Sequence, residues 1–311
     1  MRLQLESIRK SFGSKVAVDN LSLDVPEGVI YGIIGPNGAG KTTTIRMIMN
    51  ITIPDSGQIL IDGIAPGKDF KNRVGYLPEE RGLYKNMTLI EVVRYMAELK
   101  GKSSRYTLNQ IDKWLELMNL IDYKNNKVQE LSKGMQQKLQ FITTILHEPD
   151  LIILDELFSG LDPLNIEVIK NVILDLKRAG KTILFSTHVM EQAEKLCDYV
   201  CMISFGKKVI DGKLSEVKSK YGKNSVQIDM DGDGAFVSNL SGVKNVTEFN
   251  NYIELSLNEG ANVSEILKSV VNRTTVRRFE LVEPSLYDIF IDMARIDPLQ
   301  YDKINKAGNN V

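Results

Sequence analysis

Cysteine, histidine and tryptophan are scarce in this 311-residue chain, with two, two and one copies. Two cysteines, Cys197 and Cys201, exclude a disulfide framework, because a single bridge would have to serve the whole length, and a reducing compartment fits that usage. Their C-x3-C spacing lacks the two further ligands of a closed metal site, so buried free thiols are expected. Charge of one sign is also missing: 39 Lys and Arg against 40 Asp and Glu leave a net charge of −1, which offers no case for a nucleic-acid footprint. The longest apolar runs, such as "LIIL" and "YVCMI", fall far short of the roughly 20 residues of a membrane span. The opening "MRLQLESIRKSFG" has no apolar h-region of a secretory signal. A soluble chain able to dock on a membrane protein is expected, long enough for one large or two medium domains.

What is present is an alternation. "RLQLESIRKSF" and "AVDNLSLDV" read as strands, and "GVIYGIIG" as a buried strand bounded by glycines. "KTTTIRMIMNI" has helical spacing, and "DSGQILIDGIA" reads as a hairpin with Gly57 and Gly63 at its turns. "LIEVVRYMAEL" and "LNQIDKWLELMNL" read as helices separated by a polar loop, "KGKSSRYT". "LIILDE" and "TILFSTH" open two further strand-plus-helix units. The expected fold is α/β: a phosphate-loop NTPase core with a mostly parallel sheet, an antiparallel β subdomain and an inserted helical subdomain at about residues 89–146. Residues 1–222 form that domain in this reading. A small C-terminal α+β domain is expected over 223–300, with strands in "SVQIDM", "VKNVTEFN", "YIELSLN" and "RRFELVEP" and helices in "NVSEILKSVVN" and "SLYDIFIDMAR". Residues 301–311 read as a polar tail. The arginines of "NRTTVRRFE" read as a solvated strand edge.

The most specific motif is "GPNGAGKT" at 35–42, which fits G-x-x-x-x-G-K-[ST] between a strand and a helix. Gly35, Gly38 and Gly40 let the backbone wrap phosphate with its N–H groups turned inward. Lys41 can reach the β- and γ-phosphates, Thr42 can hold Mg²⁺, and the helix N-terminus adds partial positive charge. Asp155 and Glu156 stand at the C-terminal end of "LIILDE", where open α/β sheets bind ligands. Asp155 suits the Mg²⁺ shell, and Glu156 suits polarisation of a water for in-line attack on the γ-phosphorus. His188, at the end of "FSTH", can contact the γ-phosphate and that water, whereas His147 in "LHEPD" reads as a structural hydrogen-bonding residue. "LSKGMQQKLQF", from Leu131, has a polar turn followed by apolar positions at helical spacing, and it holds no carboxylate, His or Cys.

Phosphate loop, "LSKG", "LIILDE", "FSGLD" and "STH", in this order, resemble the nucleotide-binding subunit of ATP-binding-cassette (ABC) transporters over about residues 1–220. The resemblance implies ATP and Mg²⁺ as cofactors and a second such subunit, read here as another copy of this chain, set head to tail. It assigns nucleotide contacts to Gly35, Pro36, Asn37, Gly38, Ala39, Gly40, Lys41, Thr42 and Thr43, with Phe12 of "KSFG" stacked on adenine. Ser132 and Gly134 would grip the γ-phosphate bound by the partner, a task suited to a hydroxyl, an N–H and a helix N-terminus. Ser159, Gly160 and Asp162 match the loop that communicates across the dimer, and Asp162-Pro163 also reads as a helix start. It further implies a transmembrane permease on a separate chain and a place on the cytoplasmic face of the cell membrane, with no nucleic-acid partner.

Two positions depart from the family pattern. Glu79 in "GYLPEERGLY" replaces the usual Gln; either Glu79 binds the metal or Glu80 points inward. Lys133 replaces a Gly, with Met135 for Gln, and its amine either nears phosphate or faces solvent. "PEERGLY", "LSKGMQQKLQ" and "LVEPSLYDIF" together resemble the exporter subgroup that contains sodium-extrusion ATPases. The alternative is a soluble ABC ATPase acting on ribosomes or nucleic acid; such chains tend to carry two cassettes or long coiled-coil insertions, and neither is read here.

Overall fold

The structure is a computed structural model that describes residues 1–80, 82–221, 225–232, 234–258 and 260–296. The expected tail over 301–311, and residues 223–224 and 297–300 of the expected C-terminal domain, lie outside the described residues. The chain divides into two compact units, Met1–Lys213 and Leu214–Val311.

The first unit opens with three antiparallel strands, β1 (Leu3–Phe12), β2 (Lys15–Val25) and β4 (Ser56–Ile61), in the order β2-β1-β4. The period-2 pattern of Leu3, Leu5, Leu21, Leu23 and Val25 turns one face of this sheet inward. "DSGQILIDGIA" is not a hairpin. Its one strand, β4, pairs with β1, Leu3 opposite Ile61, and only an isolated bridge from Ile61 to Ile64 closes the turn after it. Pairing with β1 sets Ile61 opposite Leu3, where it is buried in the core.

The larger sheet has six strands in the order β5-β6-β7-β3-β8-β9. They are β5 (Val74–Leu77), β6 (Leu151–Asp155), β7 (Thr182–Thr187), β3 (Ile30–Ile34), β8 (Tyr199–Ser204) and β9 (Lys207–Lys213). The first five run parallel and β9 is antiparallel, as expected for a mostly parallel sheet. Every residue of β3, β6 and β7 is buried, which explains the apolar runs of β3 and β6 and the apolar centre of β7. One core joins the inner face of the antiparallel sheet to Ile33, Ile153 and Leu184, with Ile45, Met47 and Ile48 of α1 (Lys41–Ile48) inside it. Free Cys197 and Cys201 are buried, and Cys197 Sγ would lie 2.8 Å from a Cβ on Gly32.

Helices α2 (Leu89–Leu99), α3 (Ser104–Leu117) and α4 (Lys133–Ile145) follow, then α5 (Pro163–Arg178) and α6 (Met190–Leu196). A capping box of Thr88 and Glu91 starts α2. The "KGKSSRYT" loop is shorter than expected: Ser103 Oγ accepts from Tyr106 N at 3.2 Å and starts α3 inside it, because a capping hydroxyl offsets the polar composition. Asp162 Oδ1 accepts from Asn165 N at 2.9 Å with Pro163 at the first helical position, so Asp162-Pro163 begins α5 as read. α4 packs on α2 and, at its far end, on β5.

The second unit holds α7 (Leu214–Tyr221), β10 (Ser225–Met230), β11 (Val243–Glu248), β12 (Ile253–Leu257), α8 (Val263–Val271), β13 (Val276–Val282) and α9 (Leu286–Ile296). Its four strands form an antiparallel sheet in the order β11-β12-β10-β13. Val226, Ile228, Leu255 and Leu257 on one face pack with Ile266 and Val270 of α8.

Candidate nucleotide site

The turn from β3 into α1 is shaped by two close approaches. A Cβ on Gly35 would sit 2.1 Å from Ile203 O of β8, and one on Gly40 would sit 2.4 Å from Ala17 O of β2. Gly35 and Gly40 are thus required by neighbouring strands, in addition to the ligand approach anticipated from the motif. Gly38 differs: with φ +75° it is left-handed, and a Cβ there would meet nothing within 4 Å. No side chain caps α1, so its leading N–H groups stay available to an anion.

A cavity of about 310 Å³ opens over this turn. Asn37, Gly38, Ala39, Gly40, Lys41, Thr42 and Thr43 line it, together with Phe12, Lys15, Ala17, Glu79 and Glu156. Phe12 is 55% exposed, with Lys10 Nζ over its ring at 5.8 Å, and an exposed aromatic ring suits stacking on a planar base. Lys41 is buried; its Nζ donates to Gly35 O at 2.8 Å and Pro36 O at 3.2 Å and stands 3.3 Å from Glu156 Oε1.

The parallel register of β6 and β7 sets Asp155 beside Ser186, whose Oγ donates to Asp155 Oδ1. Burial pushes the Asp155 carboxyl above its ordinary pKa, opposed by the Ser186 and Thr42 hydroxyls and reinforced by the negative charges of Glu79 and Glu156. Its Oδ2 is buried without a hydrogen-bond partner among the described residues. The orphaned Asp155 oxygen and the Thr42 hydroxyl beside it are hard oxygen donors of the kind Mg²⁺ takes. No group of three His, Cys, Asp or Glu among the described residues can hold an ion by itself. Thr42 and Asp155 fit a cation that keeps most of its ligands outside the protein, as Mg²⁺ on phosphates does. Glu79 and Glu80 are both exposed, and of the two only Glu79 lines the cavity.

Glu156 has φ +50°, a left-handed conformation that costs a non-glycine residue about 1–2 kcal/mol. Its N–H donates to Ser186 O and Ser186 Oγ, each at 3.2 Å, which holds the turn. Its carboxylate lies between two nitrogen groups: Oε1 is 3.3 Å from Lys41 Nζ, and Oε2 lies 2.9 Å from His188 Nδ1. His188 thus meets Glu156 directly. His147 is buried with Nε2 3.2 Å from Val74 O, and burial lowers its pKa to about 4, in keeping with a structural role.

Of the expected site residues, Ser132, Gly134 and Asp162 do not line the cavity, and neither do Gly35, Pro36, Asp155 and His188. Ser132 is exposed and caps α4, its Oγ accepting from Met135 N at 3.2 Å, so its hydroxyl proton remains for an outside acceptor. Gly134 lies against the loop that ends in Asp162: a Cβ would be 3.3 Å from Asn165 Nδ2 and 3.5 Å from Leu161 Cδ2. Lys133 is exposed. Sequence reasoning missed Ser186, Asn165, Lys15 and Gln137. Gln137 is buried and its Nε2 donates to Leu157 O, tying α4 to the backbone just after Glu156. Only Ser186, within "FSTH", carried a local signal, as a polar residue beside the strand-end histidine.

A phosphate loop on a mostly parallel sheet, with an acidic pair at the end of a neighbouring strand, defines a phosphate-loop nucleotide hydrolase. The family described as ABC transporter matches residues 18–159, and that described as ATP-binding protein DrrA1-3-like, C-terminal domain, matches residues 212–294. The chain is 44% identical over 290 residues to the ABC transporter ATP-binding protein YhaQ of Bacillus subtilis (strain 168), covering 93% of this chain and 97% of that one. It is 39% identical over 232 residues to the Nod factor export ATP-binding protein I of Cupriavidus metallidurans, covering 73% and 76%. A solved ATP-binding subunit of an ABC transporter superposes with a TM-score of 0.66 at 30% identity, over 71% of this chain and 93% of that one. The protein belongs to the ABC transporter ATP-binding proteins, and it is an ATPase.

Proposed function

We propose that two copies of this chain close head to tail on ATP and that hydrolysis reopens them, driving a separately encoded membrane permease in the export direction. The observation that supports this reading is which residues line the cavity and which do not. Phe12, the phosphate loop, Glu79 and Glu156 share one cavity, while Ser132 and Gly134, built from anion-binding groups, do not line it. A second copy would supply that missing wall. Export is supported by the relative named for Nod factor export. The sodium-extrusion resemblance makes sodium or another small solute a candidate cargo, with selection left to the permease.

In the closed state adenine stacks on Phe12, and the phosphates are held by the N–H groups of residues 37–43 and by Lys41. Thr42, Asp155 and Glu79 would hold Mg²⁺, which when bound neutralises charge on the β- and γ-phosphates. Lys41 turns from Glu156 to phosphate, which frees Glu156 Oε1 to accept the proton of the attacking water. His188 Nδ1, on the other carboxylate oxygen, keeps Glu156 oriented. The permease docks around Glu79–Tyr84 on the cytoplasmic face, where Tyr84 is half-exposed and packs edge-on to Tyr95 at 5.3 Å.

Glu156→Gln tests the core of the reading. ATP turnover should fall by about 10²–10⁴-fold, and ATP should then trap a dimer in gel filtration. Unchanged turnover removes Glu156 from the reaction. Cargo accumulation in inside-out vesicles carrying the permease supports export; accumulation in right-side-out vesicles overturns it. Co-purification with ribosomes or nucleic acid in place of a multi-span protein rejects the transport role.

A further inference from the structure

The last strand of the C-terminal sheet has an open edge. Among the described residues β13 pairs with β10 on one side and with no strand on the other. Soluble proteins usually blunt such edges with lysine, proline or charges that repel an incoming strand. The straight part of β13 runs Arg278, Phe279, Glu280, Leu281, Val282, and its charges do the opposite. If a second β13 approaches antiparallel with Phe279 facing Phe279, each Arg278 lies directly across from the other chain's Glu280. The edge is complementary to itself, as a two-fold contact between identical chains demands.

Both faces of the sheet agree with that register. Arg278 is registered against Asp229 and Glu280 against Gln227, so the charged side chains share one face, and they are 62% and 50% exposed. Within one chain Arg278 also contacts Glu280, and an exposed pair of this kind contributes little by itself. On the other face Phe279 is registered against buried Ile228 and packs on the core, while Leu281 beside it is 57% exposed. Two-fold pairing would set the two Phe279 side chains directly against each other and lay the aliphatic stem of the other copy's Arg277 across each exposed Leu281. The register shift at β13's start, between Arg278 and Val276, limits the pairing to a short stretch.

We propose that the C-terminal units of two copies associate through their β13 edges, joining two four-stranded sheets into one of eight strands. The occupant of the edge is a second copy of this chain. The contact is small and therefore weak by itself, and it gains from the high effective concentration in an assembled transporter. It needs no nucleotide, so its test is separate from that of ATP-driven closure.

The test is sedimentation velocity of the full chain without nucleotide at low ionic strength. Wild type should show concentration-dependent self-association. Arg278→Glu and Glu280→Arg each place like charges across the two-fold and should weaken it about tenfold. A one-to-one mixture of these two variants restores both opposite-charge pairs, and so does the double substitution in one chain; both should recover wild-type association. Recovery in the mixture shows that each variant is folded and that the pairs form between chains. A monomeric wild type, single variants that associate like wild type, or a mixture without recovery would each overturn the proposal.

Discussion

Two glycines of one loop should respond to the same substitution in opposite ways. In Gly35→Ala the new Cβ lies 2.1 Å from Ile203 O, against a usual contact of about 3.5–4.0 Å. That oxygen belongs to β8, hydrogen-bonded beside β3 in a buried sheet, so relief requires strand movement. Overpacking of a buried site costs about 1–3 kcal/mol, and the backbone at φ +149° adds about 1–2 kcal/mol. Gly35→Ala should therefore lose about 2–5 kcal/mol. In Gly38→Ala the Cβ meets nothing within 4 Å, so only the left-handed backbone is charged against it, about 1–2 kcal/mol. Yet that Cβ enters the cavity where phosphate is proposed to sit, so Gly38→Ala should fold and fail to bind ATP. The single tryptophan, Trp114, lies in α3 of the first unit, so its fluorescence during urea denaturation reports the unit that carries both glycines. Equal midpoints for the two variants, or undiminished ATP affinity in Gly38→Ala, would refute this division of labour.

Acid should loosen the first unit through His147. Its pKa is about 4 in the folded chain against about 6.5 when unfolded, so the unfolded chain binds more protons between these values and stability falls as pH drops from 6.5 towards 4. The full effect is about 3 kcal/mol, and His147→Gln should flatten the urea midpoint measured by Trp114 fluorescence across that window. Ser132→Ala removes the α4 cap, which should cost about 1 kcal/mol in the same denaturation assay. It should also weaken the ATP-trapped dimer of the Glu156→Gln chain without changing ATP affinity of the monomer; unchanged dimerisation would count against a site shared between two copies.

What the sequence determined by itself was whatever depends on neighbours a few residues apart. The run of β3, the glycine spacing of 35–40, the helical period of α4 and the Asp162-Pro163 start of α5 were all legible, because strand burial, turn geometry and capping are set locally. The resemblance added the expectation that Ser132 serves a phosphate held by another copy, which no single-chain periodicity can express. The expected hairpin at 55–65 failed for the same reason in reverse: β4 prefers a partner some fifty residues earlier in β1 over its own short return.

Only the tertiary structure decided why particular atoms are where they are. Ile203 O and Ala17 O, from β8 and β2, dictate glycine at 35 and 40. The β6–β7 register brings Ser186 to Asp155, and Gln137 reaches Leu157 O across the fold. The sheet order β11-β12-β10-β13 leaves an edge whose arginine and glutamate looked like ordinary solvated charges in the chain. Contacts between residues far apart in sequence follow from how whole faces pack, and that information is spread over many side chains with no signal at any one of them.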